Sequence, residues 1–254
     1  MSNIKPTQGP QELVSVFKKN IGDNLFALIS VGSLTTKHYI KSWSDIDLVV
    51  VFEQLSLKDK VIVSKLKSEL EQVHGRKFGI NIITKRESIS PILPTISLDG
   101  KTLQGLLDLS IHPGRLLYCK DNNTQFYTPD TQTIREYSIL NIFMFLRRNR
   151  KSLTSELAST NLELKNITER EIRASFIMTK LAIQYIKGLN CNGYKEISET
   201  AKELFFDFDV NTLLSLEQAM NKWDKVTNQE EIGKLLTETD AYIESFSEYV
   251  LKII

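Results

Sequence analysis

Val31-Gly32-Ser33, then Leu34 to Ser44, then Asp45-Ile46-Asp47-Leu48-Val49-Val50-Val51-Phe52 is the stretch that decides how this 254-residue chain is read. The apolar run Leu25 to Val31 enters Gly-Ser as a strand. Eleven residues later the chain returns as a second strand with two carboxylates at its mouth. Side chains alternate faces along a strand, so Asp45 and Asp47 share one, with Cα atoms about 6.5–7 Å apart. Leu48 to Phe52 are apolar on both faces, the pattern of a central strand. Two like charges at the edge of such a strand repel unless a cation lies between them. The pair therefore asks for a divalent metal. The Gly32-Ser33 turn, where backbone approaches closely and amides and a hydroxyl can donate, asks for a phosphate.

Outward from this motif, a short helix is expected over Gln11 to Asn20, ahead of the first strand. Val61, Val63, Leu66, Leu70 and Val73 recur at helical spacing, which predicts a crossover helix over Lys58 to His74. Phe78 to Thr84 reads as a third strand, Leu103 to Leu109 as a helix, and Gly114 to Tyr118 as a short fourth strand. Asp121-Asn122-Asn123-Thr124 and Pro129-Asp130 are turn-rich and mark a boundary, giving domains at residues 1–128 and 129–254.

The second half lacks proline after Pro129 and reads as all helical. Helices are expected over Ile134 to Leu153, ending in the basic run Arg147-Arg148-Asn149-Arg150-Lys151, and then over Tyr194 to Phe206, Asn211 to Trp223 and Gln229 to Leu251. Thr168-Glu169-Arg170-Glu171 reads as a capping box opening a helix that Gly188 stops after Lys187. The expected fold class is thus an α/β domain with a small mixed sheet followed by an all-α bundle.

Composition narrows the function classes. There are 32 basic and 31 acidic residues, a net charge of +1, which argues against nucleic acid as a partner. No apolar run is long enough to span a bilayer and Met1 to Pro10 lacks an apolar core, so no membrane partner and a cytoplasmic location are expected. Cys119 and Cys191 fit free thiols, and the three histidines, His38, His74 and His112, are too scattered for a zinc site.

Gly32-Ser33 followed by Ser44-Asp45-Ile46-Asp47-Leu48-Val49-Val50 resembles the signature of the DNA polymerase beta-like nucleotidyltransferase superfamily. Within it, the chain is similar to small bacterial aminoglycoside and lincosamide adenylyltransferases. The resemblance is close over Leu25 to Phe52. Gly114 to Tyr118 matches in order and spacing only, and the helical half in architecture only, which carries little functional information. The resemblance implies a nucleoside triphosphate held by Gly32, Ser33 and Ser44, and two Mg²⁺ ions ligated by Asp45 and Asp47. A nucleoside monophosphate, expected to be AMP from ATP, passes to a hydroxyl of a small molecule such as an antibiotic, with release of pyrophosphate. Lys37 and His38, in the gap after Ser33, could also touch phosphate, although a solvated loop is the commoner use of such residues. The site is expected in a cleft between the two domains. A homodimer is compatible with the sequence, which does not fix the oligomeric state.

One position departs from the pattern. Where such enzymes carry a third carboxylate on the next strand, this chain has Asn81, which can coordinate a cation weakly but cannot accept a proton at neutral pH. Three readings follow: another base, with Glu87 the first candidate; catalysis by metals and positioning alone; or a degenerate site that binds nucleotide without efficient transfer. The last includes an antitoxin-like regulatory module engaging a protein partner. No histidine follows His112, so an Arg/His ribonuclease motif in the helical half is absent. Arg173, Lys180, Tyr185, Asp207 and Asp209 are candidates for an acceptor pocket, and Arg147, Arg148, Arg150 and Lys151 for a triphosphate or nucleic-acid contact.

Overall fold

The computed structural model describes residues 10–31, 45–156, 161–188, 191 and 193–253. The chain divides into two compact units, Met1–Asp130 and Thr131–Ile254.

The first unit is built around one sheet. Helix α1 (Pro10–Ile21) leads through a 3-10 turn into β1 (Leu25–Val31), followed by β2 (Ile46–Phe52), α2 (Leu57–His74), β3 (Phe78–Thr84), α3 (Lys85–Ile89), α4 (Pro94–Ser97), α5 (Gly100–Ile111) and β4 (Leu116–Cys119). The strand order is β3-β2-β1-β4. β2 and β3 run parallel, joined by α2 as the crossover, while β1 is antiparallel to both β2 and β4. The sheet is therefore mixed, and β2 is interior.

Every residue of β1 is buried, and in β2 Asp47 alone is not. One face of the sheet, with Leu28, Leu48, Val50 and Phe52, packs on Leu13, Val14 and Phe17 of α1 and on Val63, Leu66 and Leu70 of α2. α2 begins sharply because Ser56 and Asp59 form a reciprocal cap, and it ends at Gly75, whose φ of 62° the missing side chain permits. The opposite face carries α5. A Cβ at Gly105 would stand 3.0 Å from Val31 and 3.3 Å from Val49, so a glycine there lets the helix backbone settle onto β1 and β2.

The second unit comprises α6 (Thr131–Glu156), α7 (Asn161–Lys187), α8 (Tyr194–Leu204), α9 (Asn211–Met220) and α10 (Gln229–Ile253). Among the described residues it contains no strand. Phe205, Phe208, Tyr242, Phe246 and Tyr249 form an aromatic cluster with ring centroids 5.1–6.4 Å apart. Burial pushes the Tyr242 hydroxyl well above its ordinary range, and that hydroxyl lies 2.7 Å from Thr179. Gly188, at φ 65°, terminates α7 as expected.

Three local expectations are corrected. Thr168 does not open a helix: α7 starts at Asn161, Thr168 Oγ1 donates back to Leu164 O at 2.9 Å, and Glu171 is buried where it accepts from Asn149 at 2.8 Å. Thr168 is buried inside α7, so its hydroxyl bonds one turn back instead of capping. The basic run at 147–151 does not end α6, which continues to Glu156; Arg150 instead forms a two-pronged pair with Glu244 of α10, at 2.8 and 2.6 Å. Gly114 and Arg115 lie in a 3-10 turn before β4, not within the strand.

Candidate active site

The site grows from the register of β2. Asp47 stands opposite Val31 on β1 and opposite Gly79 on β3, and Val49 stands opposite Asn81. The two-residue period places Asp45, Asp47 and Val49 on the α5 face of the sheet, together with Gly79 and Asn81. Asp45 immediately precedes the strand and is partly exposed.

A side chain at position 79 would have to displace the Asp47 and Lys101 side chains. A Cβ there would collide with the Asp47 carboxylate and stand 2.8 Å from Lys101 Nζ. The space is used by an ion pair between Lys101 and Asp47. Lys101 lies one helical turn before Gly105, so the close seating of α5 delivers its ammonium to the mouth of β2.

Asn81 donates from Nδ2 to Asp99 Oδ1 at 2.9 Å. The same Asp99 caps α5: Oδ1 accepts from the backbone amides of Lys101 and Thr102 at 3.0 and 3.1 Å, and Oδ2 from the Thr102 hydroxyl at 2.5 Å. A carboxylate can only accept, so the amide nitrogen of Asn81 must face Asp99. Asp99 and Lys101 were not anticipated. Asp99-Gly100-Lys101-Thr102 carries a helix-cap signal, but nothing in it points across to Asn81 or Asp47.

Glu87 is not brought to this site. It is the third residue of α3, where its Oε2 accepts from Thr84 N and Thr84 Oγ1, both at 2.7 Å, in a capping box. Because β3 runs parallel to β2, Thr84 sits beside Phe52, five residues and roughly 17 Å along the strand from Gly79. That end of the sheet holds a separate charge cluster, in which Lys85 and Lys120 each approach Glu53 to 3.5 Å. Glu87 therefore serves as a cap at the far end of β3 and not as a base beside Asp47, correcting the expectation. Gly32, Ser33, Lys37, His38 and Ser44 lie outside the described residues.

Two of the acceptor-pocket candidates are tied to neighbours close in sequence. Arg173 bonds Glu169 at 2.8 Å, and Asp209 accepts from the Asn211 amide at 2.9 Å ahead of α9. His74 packs on Phe78 with ring centroids 5.6 Å apart, and burial lowers its pKa below the ordinary value. Cys119 and Cys191 are free thiols, as expected. Among the described residues, no helix is long and apolar enough to cross a membrane.

The donor chemistry suits a divalent cation. Asp45 and Asp47 offer hard carboxylate oxygens from one strand face, and the Lys101 ammonium against Asp47 shows that the position already draws positive charge. Among the described residues, no group of three or more His, Cys, Asp or Glu side chains is placed to hold a metal ion.

A scan against protein-family models and a search of curated proteins find no match to this chain. Among solved structures, the chain is similar to the crystal structure of spectinomycin adenyltransferase AAD(9) from Enterococcus faecialis with ATP and spectinomycin. The TM-score is 0.54 at 13% sequence identity, over 91% of this chain and 96% of that one. At this identity the likeness is one of fold. It bears out the small mixed sheet with a helical C-terminal region, and the resemblance to antibiotic adenylyltransferases in architecture.

Proposed function

We propose that this chain is a Mg²⁺-dependent nucleotidyltransferase that moves AMP from ATP onto a hydroxyl of a small molecule, releasing pyrophosphate. One observation carries the reading: Asp45 and Asp47 stand on one face at the mouth of the central strand of a sheet whose fold is that of an adenyltransferase. Asp45 and Asp47 would hold Mg²⁺, which supplies charge neutralisation at the phosphate oxygens when bound. Gly32, Ser33 and Ser44 are the proposed triphosphate contacts, with Lys37 a further candidate.

Asn81 sets the limit on the chemistry. Its amide cannot take the acceptor proton, and its nitrogen is committed to Asp99. Transfer would then rest on positioning and on charge stabilisation at the reacting phosphate. The same observation supports the second reading, a nucleotide-binding regulatory module with little or no turnover.

The deciding experiment measures pyrophosphate release from ATP, GTP, CTP and UTP with Mg²⁺ across aminoglycosides, lincosamides and other polyols, with the Asp45→Ala/Asp47→Ala double variant as control. Acceptor-dependent release that disappears in the control supports transfer. Nucleotide binding by calorimetry with no release from any acceptor supports the regulatory module.

A further inference from the structure

We propose that Lys101 is the resident cation of this site. It neutralises Asp47 while the site is empty, competes there with a divalent cation, and pairs with nucleotide phosphate once that cation displaces it. The inference rests on the reading of Asp45 and Asp47 as a metal-nucleotide site.

Three features of the molecule support it. The Lys101 and Asp47 side chains retain 50% and 20% of their exposure, so the pair is open to exchange rather than locked in the core. Gly79 preserves the space the pair occupies, since any β-carbon would strike the carboxylate and crowd the ammonium. Gly105 seats α5 so that Lys101 reaches Asp47 across 54 residues of sequence. An ammonium on a flexible four-carbon stem can leave a carboxylate without any backbone movement.

Electrostatics then assigns opposite signs to the two ligands. A divalent cation arriving alone at Asp47 must evict the lysine and remain near its positive charge. An incoming triphosphate relieves that repulsion by offering the displaced ammonium a new partner. Lys101 thus opposes metal alone and favours metal together with nucleotide. By linkage, each ligand then strengthens the other's binding.

The test uses the full chain and two titrations: Mn²⁺ alone, and a non-hydrolysable ATP analogue at saturating Mn²⁺. Lys101→Met is expected to bind Mn²⁺ about fivefold more tightly and the analogue at saturating Mn²⁺ about fivefold more weakly. Lys101→Arg, which keeps the charge, is expected to stay near wild type in both. A merely structural role would not move the two affinities in opposite directions, and a thermal melt confirms that each variant is folded. If Asp47→Asn loses Mn²⁺ but Lys101→Met binds it no more tightly than wild type, the inference about Lys101 fails alone. If Asp47→Asn binds Mn²⁺ like wild type, the metal reading fails and takes this inference with it.

Discussion

The carboxylate–cation pair at the end of α5 and the pair at its start are built in opposite ways. Near the C-terminal end, Asp108 faces Arg115 at 3.4 Å with both side chains at 2% exposure or less. Gln104 donates to Asp108 Oδ1 at 2.7 Å, and Ser30 on β1 donates to the Arg115 carbonyl at 3.3 Å. At the N-terminal end, Lys101 meets Asp47 with half of the lysine in solvent. A buried pair is costly to break, because removing one partner strands an unpaired charge in low dielectric. An exposed pair contributes little to stability and can exchange partners. One helix therefore carries a lock at one end and an exchangeable contact at the other, and only the second adjoins the candidate site.

Breaking the two pairs should separate function from stability. Asp47→Asn is expected to lower Mg²⁺-dependent turnover on the order of a thousandfold, about 4 kcal/mol in the barrier, with the melting temperature shifted by no more than about 3 °C. Pyrophosphate release and a thermal melt on the same preparation check both halves; retained turnover removes Asp47 from the chemistry. Asp108→Ala should do the reverse, costing about 3–5 kcal/mol in urea unfolding. A loss below about 1 kcal/mol would place the buried pair in the same class as the exposed one.

Gly79→Ala sharpens the contrast at the open end. Its β-carbon takes the space of the Asp47 carboxylate and pushes that group aside, so nucleotide affinity measured by calorimetry should fall about tenfold with little change in stability. Unchanged affinity would show that Asp47 relocates freely. Asn81→Asp brings a second carboxylate against Asp99 in place of a 2.9 Å hydrogen bond. Stability should drop by about 1 kcal/mol in EDTA and recover with Mn²⁺; a variant as stable as wild type in EDTA would mean the two groups move apart.

The smallest effect tests a carboxylate held by hydrogen bonds rather than by a cation. The Ser56 hydroxyl is the main cause holding the Asp59 pKa below its ordinary 3.8. A lowered pKa in the folded state stabilises above 3.8, and that contribution is lost as pH falls through the folded value. Ser56→Ala should therefore cost about 0.5–1 kcal/mol at pH 7, with the deficit shrinking in acid unfolding below pH 3.8. A deficit that holds constant into acid would assign the effect to the cap geometry alone.

Much of the first unit could be read directly. β1 and β3 fall at the expected residues, β2 begins one residue after Asp45, and α2 begins one residue before Lys58. These elements follow from alternation and from helical spacing, which are properties of a short stretch of chain. What failed was of a different kind. Glu87 is the first candidate base on sequence because it follows β3 closely, but parallel pairing carries the chain away from Asp47 as it proceeds. The Thr168 box satisfied a local rule, but α7 already begins at Asn161, and the basic run at 147–151 found its partner on α10.

By itself the sequence determined that Asp45 and Asp47 share a face at the mouth of a central strand, because the two-residue period of a strand is local backbone geometry. Only the tertiary structure decided what meets them. Lys101 reaches Asp47 because Gly105 lets α5 rest on Val31 and Val49, and Asn81 turns to Asp99 because that residue caps the same helix. Those contacts depend on how closely a helix packs on a sheet, and packing distance is set by side chains far apart in the chain.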